Sequence, residues 1–210
     1  MQVFVVYGQD NDSYAFREYP PLTNSHRIHQ KLIPDMSGTC HPGVRRCEFC
    51  SEIAAKWDEP LPGLVVKNRR YDISITYDGV ELVSQLFKSA CEASGLSGLV
   101  IRPLPDDPDF FAIRASRAIP FDSERRGTRF IKPCPASGRQ ESVVGATPAF
   151  LKTGTAVGGQ EFVRTDLEFG SYDGKHPLLI CGEVAANALC PRKLKGQGLI
   201  PVEASRSSRL

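Results

Sequence analysis

Residues 78–102 read DGVELVSQLFKSACEASGLSGLVIR, and the fold turns on how they are read. Val83, Leu86, Phe87, Ala90 and Cys91 recur at i, i+3, i+4, i+7 and i+8. That spacing lays apolar side chains along one face of an α-helix. Asp78 stands ahead of the run as an N-cap, with Glu81 three residues later in the capping-box position. Gly95 sits where a helix end takes up left-handed backbone. The pattern predicts a helix over 80–94. Residues 73–76 before it and 99–102 after it are short β-branched or apolar runs suited to strands. Residues 73–104 therefore read as a strand–helix–strand unit.

A fainter copy lies near the C-terminus. Residues 178–180 read as a strand, and 183–190 as a short Ala-rich helix stopped by Pro191. Residues 199–202 read as a last strand. The endings are alike, GLSGLV at 95–100 beside KGQGLI at 195–200. Further strands are expected at 3–7, 64–66, 110–114 and 118–121, and loops at 132–138 and 154–159. The expected fold class is α+β, a mixed sheet with two strand–helix–strand units and an inserted zinc-knuckle-like loop pair. One domain is expected over 1–205, followed by a tail at 206–210. Within it, 1–45 hold the N-terminal strand and loops, 46–136 the first knuckle and unit, and 137–205 the second unit.

Composition narrows the function classes. The chain has 210 residues, with 26 Lys+Arg against 24 Asp+Glu and a formal net charge of +2. That balance gives no general electrostatic drive toward nucleic acid or membrane surfaces. Hydrophobic residues at 41% are enough for a core, which excludes disorder of the whole chain. No apolar run approaches about 18 residues, so no membrane helix is expected. The N-terminus has no basic segment, and its apolar stretch is short for a signal peptide. The expectation is a cytoplasmic protein with reduced thiols. Seven cysteines in such a chain point to metal or redox chemistry rather than disulfides.

Cys47-x-x-Cys50 puts two sulfurs on one side of a tight loop, where both reach one ion. Zinc wants four such ligands. Cys134-Pro-Ala-Ser137-Gly138 has the form of a second knuckle with Ser in place of its second Cys. Cys40 or His41 would then supply the fourth ligand, with His26 and His29 farther away. Three uses fit these residues: a structural zinc, small core thiols left from a decayed site, or redox use of Cys47 and Cys50. A fourth, catalytic zinc with water at the vacancy beside Ser137, is weakened by all-thiolate ligation. Cys91, Cys181 and Cys190 read as buried thiols. There is no nucleophile elbow, phosphate loop or zinc-protease helix. Arg45, Arg46, Lys132 and Arg139 gather near the knuckles, which makes zinc-dependent nucleic-acid binding the alternative.

The order of these parts resembles the bacterial double-CxxCG motif family over residues 44–203. It runs Cys47-x-x-Cys50, Trp57, the first unit with Gly-Leu-Ser-Gly-Leu, the knuckle at Cys134, residues 166–169, and the terminal unit. The chain departs from the family pattern at Ser51, which follows Cys50, and at Ser137. The resemblance implies Cys47, Cys50 and Cys134 as zinc ligands, with Ser137 at the fourth place. The family has no assigned catalytic activity. Some relatives look similar to immunity proteins that bind and block a toxin. The expectation is a non-enzymatic protein binder with a structural zinc, partnered by another protein such as a toxin, with no membrane role and no strong case for nucleic acid.

Overall fold

The apolar run at the N-terminus forms strand β1 (Val3–Tyr7), as its residues predict, and it lies inside a sheet with neighbours on both sides. The computed structural model describes residues 2–18, 39–40, 47, 53, 56–58, 61 and 63–203. After β1 come β2 (Gln9–Asp10), β3 (Arg17–Glu18), β4 (Thr39–Cys40) and β5 (Ile73–Ile75). Next are β6 (Glu81–Ser84), helix α1 (Gln85–Ala93), β7 (Leu99–Leu104) and β8 (Asp107–Ala115). Then follow β9 (Ala118–Ile119), α2 (Ser123–Arg126), β10 (Arg129–Pro133) and β11 (Gln140–Val144). Last come β12 (Phe162–Ser171), β13 (His176–Gly182), α3 (Glu183–Leu189) and β14 (Gly198–Pro201). The architecture is α+β, with most of its regular structure in sheets.

One sheet has seven strands, in the order β10-β11-β12-β13-β1-β14, with β9 parallel to β12. The other has five, in the order β2-β5-β6-β8-β7. The short strands β3 and β4 pair only with each other among the described residues. The expected knuckle at 47–50 lies largely outside the described residues.

The helix expected over 80–94 starts later. Residues 81–84 are β6, paired antiparallel with β5. Asp78 and Gly79 make the turn between these strands, and Gly79 has a φ of +78°. Asp-Gly is a strong hairpin signal. The helix cap is Ser84, whose hydroxyl accepts from the Phe87 amide at 3.3 Å. Phe87, Ala90 and Cys91 are buried as expected, but Leu86 is 53% exposed. Val83 belongs to the strand, so the helix's buried face begins at Phe87, and Leu86 in the first turn faces solvent. The expected strand at 64–66 is also absent. Leu64 and Val66 are buried in the core without joining a ladder.

The two units share one spatial order. β6 runs into α1, and β7 lies parallel to β6 with antiparallel β8 between them. β13 runs into α3, and β14 lies parallel to β13 with antiparallel β1 between them. Each unit is flanked by an antiparallel hairpin partner, β5 or β12. The middle strand follows its own unit in the first case and comes from the chain's start in the second. Phe87, Ala90 and Cys91 of α1 meet Ala185, Ala186 and Leu189 of α3 in a core that also takes Phe162, Leu179, Ile113 and Val83. That shared core joins the two sheets. At about 25 cal/mol per Å² of apolar area, it is a main source of cohesion between them. No helix among the described residues is long and apolar enough to cross a membrane.

Candidate metal centre and basic cavity

The exposed strand β10 runs into the loop 134–139, which folds on itself. The Cys134 amide donates to the Arg139 carbonyl at 2.7 Å, and the Gly138 amide donates to the Cys134 carbonyl at 2.8 Å. Gly138 has a φ of +68°, which suits glycine at the tip of this turn. The Ser137 hydroxyl accepts from the Arg139 amide at 3.4 Å, within the loop's own turn. Cys134 is buried, and its Sγ lies 3.7 Å from Cys47 Sγ, across 87 positions of sequence. A disulfide would need about 2.05 Å. A tetrahedral zinc with Zn–S bonds of about 2.3 Å sets two sulfurs about 3.75 Å apart. The donor chemistry and the spacing therefore fit one edge of a thiolate zinc site.

The structure thus brings together two of the expected ligands. Cys50, His41, Arg45 and Arg46 lie outside the described residues. Cys40 is described only in its backbone, as the partner of Arg17 in the β3–β4 ladder. Among the described residues no group of three or more ligating side chains occurs. Of the basic residues near the knuckles, Lys132 Nζ lies 3.3 Å from Glu141, and Arg139 lies 4.0 Å from Glu168. Both cations face a carboxylate, which lowers the charge they would offer to a phosphate backbone. Burial pushes the thiols of Cys91 and Cys181 up to about 12, so both stay protonated and unreactive. Cys190 is exposed, contrary to the expectation of a buried thiol.

A second feature was not legible in the sequence. Where the β5–β6 turn meets the β12–β13 hairpin there is a cavity of about 310 Å³. Among the described residues six cations line it: Lys56, Arg102, Arg114, Arg139, Arg164 and Lys175. Three carboxylates do so too, Asp58, Glu81 and Glu168. Arg102 stacks on the Trp57 ring at 4.8 Å and donates to the Trp57 carbonyl at 2.6 Å. Arg164 Nε donates to the Ala115 carbonyl at 3.2 Å. Lys56 Nζ donates to the carbonyls of Asp173 and Lys175, and Lys175 Nζ to that of Gln140.

The ionisation of the cavity walls follows from burial. Burial lowers the Arg164 guanidinium from its usual range, and the neighbouring Arg114 lowers it further. Burial also lowers Arg102. Burial alone pushes Glu81 up to about 8. His176 Nδ1 lies 3.0 Å from the Gly174 carbonyl. A carbonyl only accepts, so Nδ1 carries the proton. Burial, with Lys56 adding to it, holds this imidazole below its ordinary value and so neutral at pH 7. The cations come from separate elements, one or two from each, so no run of basic sequence announces the cavity.

No protein-family model matches the chain, and no curated protein is significantly similar to it in sequence.

Proposed function

We propose that the chain is a non-catalytic protein-binding protein built around a structural zinc knuckle, with toxin neutralisation of the immunity type as its most specific form. The observation that carries this reading is the 3.7 Å approach of Cys47 and Cys134 at the foot of an exposed edge strand. Zinc would be held by Cys47, Cys50 and Cys134, with Cys40 or His41 as the fourth ligand. Four protein ligands leave no open position for water, so such a metal supplies folding energy.

Strand β10 supports the binding half of the reading. Among the described residues it pairs only with β11, and all five of its residues are exposed. Phe130 is 47% exposed and Val144 on β11 is 39% exposed. An open edge of this kind offers unpaired backbone groups to an added strand, while apolar side chains add area. The resemblance to the double-CxxCG family supplies the toxin as the kind of protein bound.

Two measurements test the proposal on the full chain. Mass spectrometry of wild type and Cys134→Ser reads metal content, and thermal denaturation reads stability. About one zinc per chain, lost in the variant together with thermal stability, is the expected result. Wild type without metal rejects the knuckle. For binding, Phe130→Asp should keep the wild-type melting temperature and lose protection against a toxin encoded beside the gene. Protection by the variant equal to wild type rejects β10 as the interface.

A further inference from the structure

Cys47 and Cys134 carry an inference about reactivity that goes beyond holding a metal. The described cysteines differ in access and in company. Cys91 and Cys181 are buried, and burial raises both thiols to about 12, so neither supplies thiolate at neutral pH. Cys190 is exposed, but no hydrogen bond joins it to a second sulfur among the described residues. Cys47 and Cys134 combine access with company. Cys47 is half-buried, so a small oxidant can meet its sulfur, and Cys134 is buried with its own sulfur 3.7 Å away.

A disulfide needs its sulfurs about 2.05 Å apart, so a gap of about 1.6 Å separates the reduced pair from a bond. Each Sγ swings through more than that distance between staggered χ1 positions. Because 87 positions separate the two residues, only the folded chain holds the sulfurs together.

We propose that Cys47 and Cys134 are a reversible redox pair, closed to a disulfide by hydrogen peroxide and reopened by small thiols. The Cys47 thiolate attacks one peroxide oxygen. An S–O bond forms, the O–O bond breaks, and the departing hydroxide takes a proton to become water. Cys47 is then a sulfenic acid. The Cys134 thiolate attacks that sulfur, an S–S bond forms, the S–O bond breaks, and a second hydroxide leaves to become water. Two thiolates, one peroxide and two protons give one disulfide and two waters. The sulfurs lose two electrons and the peroxide gains them. The near sulfur of Cys134 stops Cys47 short of the irreversible sulfinic acid. A disulfide offers no thiolate, so closing the pair removes two zinc ligands at once. That consequence rests on the zinc reading above, whereas the pair itself rests on the approach of the sulfurs.

The reduced full chain is assayed for zinc, treated with hydrogen peroxide, and alkylated. Trypsin with a glutamate-specific protease then cuts after Arg46, Glu48, Arg129 and Arg139, which parts Cys47 from Cys50 and isolates Cys134. The expected product is peptide 47–48 joined to peptide 130–139 and separated again by dithiothreitol. Zinc should enter solution in step with it, one ion per crosslink. Cys134→Ser should lose the crosslink, and dimedone should then label Cys47 as the trapped sulfenic acid. Cys190→Ser should leave the crosslink unchanged. Oxidation in urea should favour Cys47 with Cys50 instead, the nearer pair in sequence.

A disulfide between Cys47 and Cys50 in the folded wild type overturns the proposal. So does peroxide treatment that leaves Cys47 and Cys134 as thiols, or that carries Cys47 to sulfinic acid without a crosslink. The two readings fail separately. A reduced chain that holds no zinc yet forms the crosslink rejects the knuckle and supports the redox pair. A zinc-loaded chain that forms no crosslink does the reverse.

Discussion

Asp78 makes four hydrogen bonds and so offers a sharp test of how the N-terminal segment is fixed. Its carboxylate is 1% exposed and sits in the β5–β6 turn. The Ala15 amide donates to both carboxylate oxygens at 2.9 Å, and the Phe16 amide donates to Oδ2 at 2.8 Å. The Thr76 hydroxyl donates to Oδ1 at 2.7 Å, while it accepts from the Val80 amide. Ala15 and Phe16 are both fully buried in the core beneath the five-stranded sheet. Asp78→Ala therefore orphans two buried amides that water cannot reach. At about 1–3 kcal/mol for each, the expected loss is about 2–6 kcal/mol. Asp78→Asn keeps the shape and one oxygen for the amides. Its new NH₂ faces Thr76, whose hydroxyl can turn and accept. The expected loss is about 1–2 kcal/mol, the difference between charged and neutral acceptors. Urea denaturation of the three proteins, with m-values compared, gives the two losses. Amide exchange at Ala15 and Phe16 should quicken most in the Ala variant. An Ala variant within about 1 kcal/mol of wild type refutes the reasoning, since two orphaned buried donors must cost at least that. Equal losses in the two variants refute the assigned role of the oxygens.

Glu81→Gln is a test of pH dependence. With its carboxyl raised to about 8 in the fold against an ordinary 4.5, the folded chain holds a proton that the unfolded chain releases. This group's stabilisation is full below its unfolded value and is lost as pH rises toward 8. Gln has no such slope, so denaturation at about pH 5 and about pH 8.5 should show the variant gaining on wild type at the higher pH. A constant difference would sink the assignment. Gly98 has a φ of +89°, and a Cβ there would lie 2.2 Å from the Phe162 carbonyl oxygen. Gly98→Ala should cost more than the about 1–2 kcal/mol of left-handed backbone alone, read as a lower melting temperature. On α1, Phe87→Ala should cost about 3–5 kcal/mol. Leu86→Gln should stay within about 0.5 kcal/mol, because its side chain faces solvent. Comparable losses at both positions would contradict the helix orientation seen here.

The parts of the fold that were legible are those set by neighbours in sequence. β1, α3 and the Gly95 helix end each follow from a few adjacent residues. The β6 strand was missed because Val83 fits both a strand and the first turn of a helix, and the helical run beyond it was the longer signal. Asp78-Gly79 carried the contrary evidence, since this dipeptide favours a hairpin turn. The cysteine spacing at 47–50 suggests a knuckle, and Cys50, which would complete it, lies outside the described residues. The meeting of Cys47 and Cys134 was expected from ligand need alone, since 87 positions separate them. The basic cavity was hidden for a different reason. Its cations alternate with buried residues on strands such as β8 and β12, where each reads as the ordinary polar member of an alternating pattern. Only pairing and docking of the sheets make them neighbours.

The two strand–helix–strand units differ in how their gap is filled, and this difference makes the molecule depend on its N-terminus. The first unit closes with β8, which follows β7 after a turn of two residues between Leu104 and Asp107. In the second, among the described residues no such strand follows β14, and β1 fills the gap from the other end of the chain. The chain then leaves β1 through Gly8, whose Cβ position would press within 2.9 Å of the Ser74 backbone. It continues at once into β2, which pairs with β5 of the other sheet. Asn11 and Ser13 follow, where Asn11 Nδ2 donates to the Ser74 hydroxyl at 3.1 Å, and Asp78 holds Ala15 and Phe16. Residues 3–16 thus complete one sheet, extend the second and fill the core beneath it. The cavity has one wall on β8 and another on β12. Its shape therefore depends on the docking that this segment and the shared core enforce.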